Sequence, residues 1–197
     1  MTRPPANPRV VVFAGPNGAG KSTHADAILA ELRIPTFVNA DYIAKGLAGQ
    51  HTDKVALAAG RIMLARLKDL GENREEFAFE STLSSRSFAP FLRQLKNKGY
   101  QIAIYYFSLA NASLAIRRVK LRVHLGGHSV PDDVVRRRFK RSLDNFFQIY
   151  QPLANEWAMF DNSHAGQAEL IAAETDFQLN IFKERTWQKL QKIYSGH

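Results

Sequence analysis

Apolar runs and amphipathic segments alternate along most of the chain. The first run, at 9–14, is apolar after its opening arginine, a pattern typical of a strand buried on both faces of a parallel sheet. Further short runs at 36–39, 76–79, 100–107 and 158–161 predict four more strands, the last of them at 158–161. Strands that alternate with helices favour a doubly wound α/β fold, a three-layer sandwich around a central, mostly parallel sheet.

The segments between these strands carry apolar residues at helical spacing. In the longest one the apolar positions recur every three or four residues, and Gly71 is expected to end that helix. At the C-terminus, large apolar residues recur among polar ones over a long segment, which predicts a terminal helix. The predicted helices are 21–32, 42–47, 53–70, 87–98, 112–125, one that begins at Pro131, and 176–194.

Length and composition indicate one domain. The 197 residues contain no long linker, so we expect a single domain over 1–197 with a flexible, proline-rich tail at 1–8. The absence of cysteine excludes a disulfide scaffold, a cysteine nucleophile and a Cys-ligated metal site. The N-terminal residues lack the apolar segment of a signal peptide, and no run approaches the roughly 18 apolar residues of a membrane span. We therefore expect a cytoplasmic protein with no membrane partner.

A glycine-rich segment lies between the first predicted strand and the first predicted helix. Its residues are Gly15, Pro16, Asn17, Gly18, Ala19, Gly20, Lys21, Ser22 and Thr23. They match the pattern G-x-x-x-x-G-K-[ST], in which backbone N–H groups and a helix N-terminus surround phosphates. Lys21 is expected to act in catalysis by reaching the β and γ oxygens, and Ser22 to bind Mg²⁺. The sequence therefore predicts a site for ATP or GTP with Mg²⁺.

Acidic residues follow three predicted strands, at the sheet edge where α/β proteins bind ligands. Asp41 is the candidate base that accepts the proton of an attacking hydroxyl, and the alternative is a helix N-cap. Glu80 suits hydrogen bonding to substrate hydroxyls, and the alternative is a solvated strand end. Asp161 suits either a Walker B-type role or a turn with the two residues after it, and the turn is favoured.

The net charge of +9 is concentrated in one stretch. Residues 111–142 carry nine basic and only two acidic side chains. Arg118 and Arg122 lie four positions apart, hence on one side of a predicted helix, and Arg138 lies on the next helix. Because the planar arginine fork grips phosphate oxygens, we interpret 111–142 as an Arg-rich helical lid over the phosphate loop. The alternatives are a solvated helix face and a surface for nucleic acid.

Six short motifs occur in order between residues 15 and 163. They are the loop 15–23, Asn39-Ala40-Asp41-Tyr42-Ile43-Ala44, Phe79-Glu80-Ser81-Thr82-Leu83, residues 122–131, Arg136-Arg137-Arg138-Phe139 and Asp161-Asn162-Ser163. Their joint order and spacing resemble the zeta toxin family of P-loop kinases. The resemblance implies transfer of the γ-phosphoryl group of ATP or GTP, with Mg²⁺, to a hydroxyl of a nucleotide sugar, UDP-N-acetylglucosamine in the toxins themselves.

The resemblance also implies roles for single residues. Asp41 matches the acid that deprotonates the acceptor hydroxyl, and Glu80, with Thr82 beside it, matches the substrate-binding segment. Arg122 matches one of the catalytic arginines that hold phosphates. Arg138 is our choice for the other, with Arg137 as its alternative. A small antitoxin partner is an expectation of the family alone.

Three hypotheses about function follow. The leading one is a kinase of a small molecule, such as a UDP-sugar. The second is a polynucleotide end kinase, which the basic stretch suggests, although no aromatic stacking platform lies beside that stretch and a nucleic-acid partner is therefore not expected. The third is a nucleotide-gated binding module that performs no chemistry.

Overall fold

A computed structural model describes residues 7–47, 53–127, 129–164 and 166–194. The strands of this part of the chain are β1 (Arg9–Ala14), β2 (Phe37–Val38), β3 (Phe77–Ser81), β4 (Gln101–Ser108), β5 (Glu156–Asp161), β6 (Glu169–Thr175) and β7 (Gln178–Ile181). The α-helices are α1 (Lys21–Leu32), α2 (Ala40–Leu47), α3 (Asp53–Glu72), α4 (Phe88–Asn97), α5 (Ala112–His124), α6 (Asp132–Asn145) and α7 (Glu184–Tyr194). After α6 the chain continues as a π-helical segment (Phe146–Tyr150) and a 3₁₀ turn (Gln151–Leu153).

The strands form one mostly parallel sheet in the order β2-β3-β1-β4-β5-β6-β7. β1 pairs in parallel with β3 and β4, and the pairs β2·β3 and β4·β5 are also parallel. At one edge of the described sheet, β6 pairs antiparallel with both β5 and β7. This arrangement confirms the predicted α/β class with its mostly parallel central sheet.

Two apolar cores lie on the two faces of the sheet, because successive side chains of a strand point to opposite faces. In β1, Val10 and Val12 belong to one core, whereas Val11 and Phe13 belong to the other. Helices α3, α4 and α7 cover the first core, and α1 and α5 cover the second. β1 is therefore buried on both faces, as its uninterrupted apolar run predicted.

The C-terminal segment differs from the sequence prediction. The helix predicted over 176–194 is wrong in its first part, because β6 and β7 form a hairpin and α7 begins only at Glu184. For the same reason 158–161 is not the last strand. The hairpin turns through Asp176 and Phe177, both left-handed with φ of 53° and 62°. Such turns favour Asn-Gly, Asp-Gly or Gly-Gly pairs, so Phe177 in the second position removed the usual turn signal.

Several boundaries also move. α3 runs through Gly71 to Glu72, so the predicted helix stop at this glycine is wrong. A Cβ on Gly71 would lie 2.7 Å from Leu95 Cδ2, so α3 packs closely against α4 at this glycine. β3 extends to Ser81, so that Glu80 lies within the strand rather than after it.

Two further expectations concern the ends of elements. The helix predicted to begin at Pro131 begins one residue later, at Asp132, and Pro131 is its N-cap residue. Most of the predicted tail at 1–8, namely residues 1–6, and His128 between the lid helices lie outside the described residues. In the part of the chain that is described, no helix combines the length and apolarity needed to cross a bilayer.

Candidate active site

The glycine-rich loop connects β1 to α1 and packs closely against the sheet. Gly15, Gly18 and Gly20 have φ of 135°, 76° and 81°, which residues with a side chain rarely adopt. A Cβ on Gly15 would lie 2.2 Å from Phe107 O, and one on Gly20 would lie 2.4 Å from Asn162 Nδ2. The loop therefore needs these glycines both for its curl and for its contact with the ends of β4 and β5.

Lys21 is the buried cation of the site. Its Nζ donates hydrogen bonds to Gly15 O (2.9 Å) and Pro16 O (3.0 Å) and lies 3.5 Å from Glu80 Oε1. Burial lowers the pKa of Lys21, and the charges of Glu80 and Asp41 oppose that shift. The lysine thus lies at the first turn of α1, next to the phosphate loop and beside an acidic partner.

Ser22 and Asn39 hold the carboxylate of Glu80. Ser22 Oγ donates to Glu80 Oε2 at 2.6 Å, and Asn39 Nδ2 donates to the same oxygen at 2.9 Å. The solvated-strand-end alternative for Glu80 is therefore wrong, since its side chain is largely enclosed. Hydroxyl and carboxylate oxygens are ligands that Mg²⁺ prefers, usually together with substrate phosphates.

A protein-only metal cage is absent from the described part of the chain. No group of three or more His, Cys, Asp or Glu side chains could hold a metal ion there. The oxygens of Ser22 and Glu80 nevertheless fit a Mg²⁺ ion that is bound mainly through nucleotide phosphates. The donor set is consistent with the predicted role of Ser22.

Asp41 lies in the first turn of α2, but it is not the N-cap. Asn39 Oδ1 accepts hydrogen bonds from Asp41 N at 2.7 Å and from Tyr42 N at 3.4 Å, so Asn39 caps the helix. The carboxylate of Asp41 is 51% exposed and lies 3.5 Å from Arg122 Nη1. The N-cap alternative for Asp41 is therefore wrong, and its carboxylate is available for chemistry.

The lid helices bring two of the predicted arginines to the site. Arg122 of α5 and Arg138 of α6 both line the same cleft, whereas Arg137 is exposed and does not. Burial lowers the pKa of Arg138, Arg137 lowers it further, and Asp41 acts in the opposite direction. The placement favours Arg138 over Arg137 as the second arginine of the site.

All these groups share one cleft of about 910 Å³, a volume sufficient for a ligand of nucleotide size. The predicted residues that line it are Asn17, Gly18, Gly20, Lys21, Ser22, Thr23, Asp41, Glu80, Thr82, Arg122 and Arg138. The other three predicted loop residues, Gly15, Pro16 and Ala19, lie beneath the cleft surface. Their carbonyl oxygens accept hydrogen bonds from Lys21 and Asn162.

Sequence reasoning did not assign the wall beside the phosphate loop. Arg118 donates to Asn162 O (2.6 Å) and Ser163 O (3.3 Å), and Asn162 Nδ2 donates to Ala19 O (2.8 Å). Asp161 accepts from the backbone N–H of Ser163, so the favoured turn interpretation is confirmed. The spacing of Arg118 and Arg122 was a usable signal, whereas nothing in the sequence linked Asn162 to the loop.

An apolar wall from α3 closes the other side of the cleft. Leu57 and Leu64 are 60% and 50% exposed and line the cleft together with Gly60, Arg61 and, from α5, Leu121. The amphipathic pattern of α3 did not distinguish these leucines from core residues, because both kinds recur at helical spacing. Only the position of α3 beside the cleft distinguishes the exposed leucines from the buried ones.

The phosphate loop, the parallel sheet and the arginine-bearing helices together define a P-loop kinase fold. The family model described as Zeta toxin matches residues 1–165. The chain belongs to the Zeta toxin family, which confirms the resemblance seen in the motifs. Family and fold together support nucleotide-dependent phosphotransferase activity. Strands β6 and β7 and helix α7 lie beyond the matched range.

The individual relatives and solved structures share less than a third of their residues with this chain. An uncharacterised protein of Haemophilus influenzae is 27% identical over 135 residues, which cover 66% of this chain and 92% of that protein. A structure of AvrRxo1-ORF1:-ORF2 with ATP is similar with a TM-score of 0.73 and 16% identity, over 93% of this chain and 63% of the matched chain. A structure of the PezAT toxin–antitoxin system of Streptococcus pneumoniae gives 0.66 and 14%, over 100% and 82%.

Proposed function

We propose that this protein is a kinase that transfers the γ-phosphoryl group of ATP or GTP to a hydroxyl of a small molecule. One observation carries the proposal: a lysine, two carboxylates and two arginines from five different elements line a single cleft. They are Lys21, Asp41, Glu80, Arg122 and Arg138.

The donor nucleotide is proposed to bind on the phosphate loop. Backbone N–H groups of a curled loop and the N-terminus of α1 attract phosphates, and Lys21 supplies a positive charge beside them. Ser22 and Glu80 would hold Mg²⁺, which neutralises phosphate charge when it is bound. The similar fold of a chain solved with ATP is consistent with this placement.

The chemistry follows from the positions of Asp41 and the arginines. As the acceptor oxygen forms its bond to the γ-phosphorus, Asp41 accepts the proton of that hydroxyl, and the nucleoside diphosphate leaves. Arg122, 3.5 Å from Asp41, orients this carboxylate. Arg138 and Lys21 stabilise the charge that spreads over the phosphoryl oxygens in the transition state.

The acceptor is proposed to lie against α3. Leu57 and Leu64 offer an apolar surface, Arg61 a positive charge, and Thr82 a hydroxyl group in the same cleft. A nucleotide sugar combines a flat base, an anionic diphosphate and sugar hydroxyls, which match these three kinds of surface. UDP-sugars, UDP-N-acetylglucosamine among them, are therefore the acceptors to test first.

The experiment is mass spectrometry of UDP-sugars and other small alcohols after incubation with the protein, ATP or GTP, and Mg²⁺. We expect one acceptor to gain a phosphoryl group with the wild type and not with Asp41→Ala. An exposed carboxylate on α1 supplies the control, and Asp26→Asn is expected to behave as the wild type. If no alcohol gains a phosphoryl group while nucleotide still binds, the kinase proposal is wrong.

One observation favours a second candidate, a polynucleotide end kinase. The exposed side of the lid carries Arg117, Lys120, Arg136, Arg137 and Lys140, a surface that attracts polyanions. Oligonucleotide affinity that falls steeply with salt, together with labelling of 5′ ends, would support it. Weak, salt-independent binding of oligonucleotides would exclude the end-kinase function and favour a small-molecule acceptor.

An antitoxin-type protein partner is proposed from the family and from the likeness to the PezAT toxin–antitoxin system. A partner that covers the cleft would block nucleotide binding. The test is whether a candidate antitoxin co-purifies with this chain and abolishes ATP binding. Co-purification with unchanged ATP affinity would show that the partner does not act at the cleft.

A further inference from the structure

Asn39 lies buried between α2 and β3 and uses both ends of its side-chain amide. It is only 4% exposed. Its oxygen accepts from the N–H groups of Asp41 and Tyr42, and its nitrogen donates to Glu80 Oε2. The opposite amide orientation would place donors against N–H groups and an acceptor against a carboxylate. The neighbouring groups therefore fix one orientation of this side chain.

Strand register brings Asn39 to this position. β2 is only two residues long and pairs in parallel with β3, with Val38 beside Phe79. The next residues of the two strands, Asn39 and Glu80, therefore lie next to each other at the carboxyl edge of the sheet. Directly after Asn39, the chain enters the helix that carries Asp41.

One amide thus joins two functional halves of the cleft. Glu80 also binds Ser22 and lies near Lys21, so it belongs to the side of the nucleotide phosphates and Mg²⁺. Asp41 belongs to the side of the acceptor hydroxyl. We propose that Asn39 is a positioning residue that sets the place of Asp41 relative to the Glu80–Ser22 pair, and this inference rests on the proposed kinase function.

Three variants of Asn39 separate this coupling from simple helix capping. Ser and Asp both cap helices well, whereas Ala does not. In Asn39→Ser the shorter side chain caps the helix without reaching Glu80. Asn39→Asp also caps the helix, but it has no N–H to donate and sets a second carboxylate against Glu80. Asn39→Ala loses both contacts. A pure capping role predicts that activity follows stability through this series, whereas coupling predicts that the two separate.

The expected result is a split between melting temperature and turnover. Asn39→Ser keeps a melting temperature near that of the wild type. Asn39→Ala melts earlier because it loses the cap, and so does Asn39→Asp, because its buried carboxylate would lie against that of Glu80. The turnover number falls about 10- to 100-fold in all three variants, the range seen when an outer-shell partner of a ligating group is lost. The ATP dissociation constant without Mg²⁺ stays unchanged. Wild-type turnover in Asn39→Ser would overturn the proposal.

A binding measurement keeps this test independent of catalysis. If the wild type transfers no phosphoryl group, the proposed kinase function fails, and the link to Glu80 is then measured by titration calorimetry of ATP with and without Mg²⁺. We expect Mg²⁺ to strengthen ATP binding in the wild type about tenfold more than in Asn39→Ser. Equal strengthening in both proteins would overturn the proposed role of Asn39 whatever reaction the protein performs.

Discussion

Glu80 shows how the neighbours of a single residue change its expected role. From the sequence it was a substrate-binding acid at a strand end. In the structure Ser22 and Asn39 both donate to its carboxylate, and Lys21 lies 3.5 Å away. These contacts favour a role at Mg²⁺ and the nucleotide phosphates over direct contact with the acceptor.

We predict that Glu80→Gln raises the Mg²⁺ concentration needed for half-maximal activity about 10-fold or more, because an uncharged amide is a weaker partner for the ion. Metal titration of the transfer rate measures this effect. Glu76→Gln is the matched control, since Glu76 pairs with Arg9 at the opposite end of β3. An increase in the acceptor KM with an unchanged Mg²⁺ requirement would restore the substrate-binding role.

At the scale of elements, the turn between α5 and α6 decides where Arg122 lies. Gly127 N–H donates to Arg122 O at 2.9 Å. A Cβ on Gly127 would lie 2.6 Å from Arg122 Cγ and 2.8 Å from Arg122 O. The chain therefore passes directly over the stem of the arginine that contacts Asp41.

We predict that Gly127→Ala lowers kcat/KM about tenfold or more, because small displacements of a catalytic group are costly. Steady-state kinetics and a melting curve measure the effect. Gly46→Ala is the control: Gly46 lies in α2, its added Cβ meets no neighbouring atom within 4 Å, and Ala stabilises helices by about 1 kcal/mol relative to Gly. Unchanged kinetics in Gly127→Ala would show that the turn does not position Arg122.

The sequence predicted elements whose signals are local and missed those that depend on distant packing. The loop 15–23 was recognised because contiguous residues encode its chemistry. The role of Asn39 depends on the register of β2 against β3, and the exposure of Leu57 and Leu64 depends on where α3 lies. The β6–β7 hairpin was missed because its turn lacks glycine and its second strand has four residues.

At the scale of the whole molecule, the segment beyond the family match is joined to the main core. Trp187 of α7 is 2% exposed and stacks on Trp157 of β5 with ring centroids 5.5 Å apart. Phe147 also contacts the ring of Trp187. By contrast, Phe177 at the hairpin turn is 95% exposed. We therefore expect α7 to unfold together with the sheet, as a single domain requires.

We predict that Trp187→Ala destabilises the protein by about 3–5 kcal/mol and shifts one cooperative transition without splitting it. Denaturant unfolding followed by both circular dichroism and fluorescence measures this. Phe177→Ala should change the free energy of unfolding by no more than about 0.5 kcal/mol. Two separate transitions in Trp187→Ala would show that the C-terminal segment folds independently.

The central claim is that one cleft binds a nucleotide through Lys21 and transfers its phosphoryl group with the help of Asp41. The most direct measurement compares ATP affinity and phosphoryl transfer in Lys21→Ala and Asp41→Ala. We predict that Lys21→Ala loses both, whereas Asp41→Ala binds ATP like the wild type and transfers about 10²- to 10⁴-fold more slowly. A wild-type transfer rate in Asp41→Ala would contradict the claim.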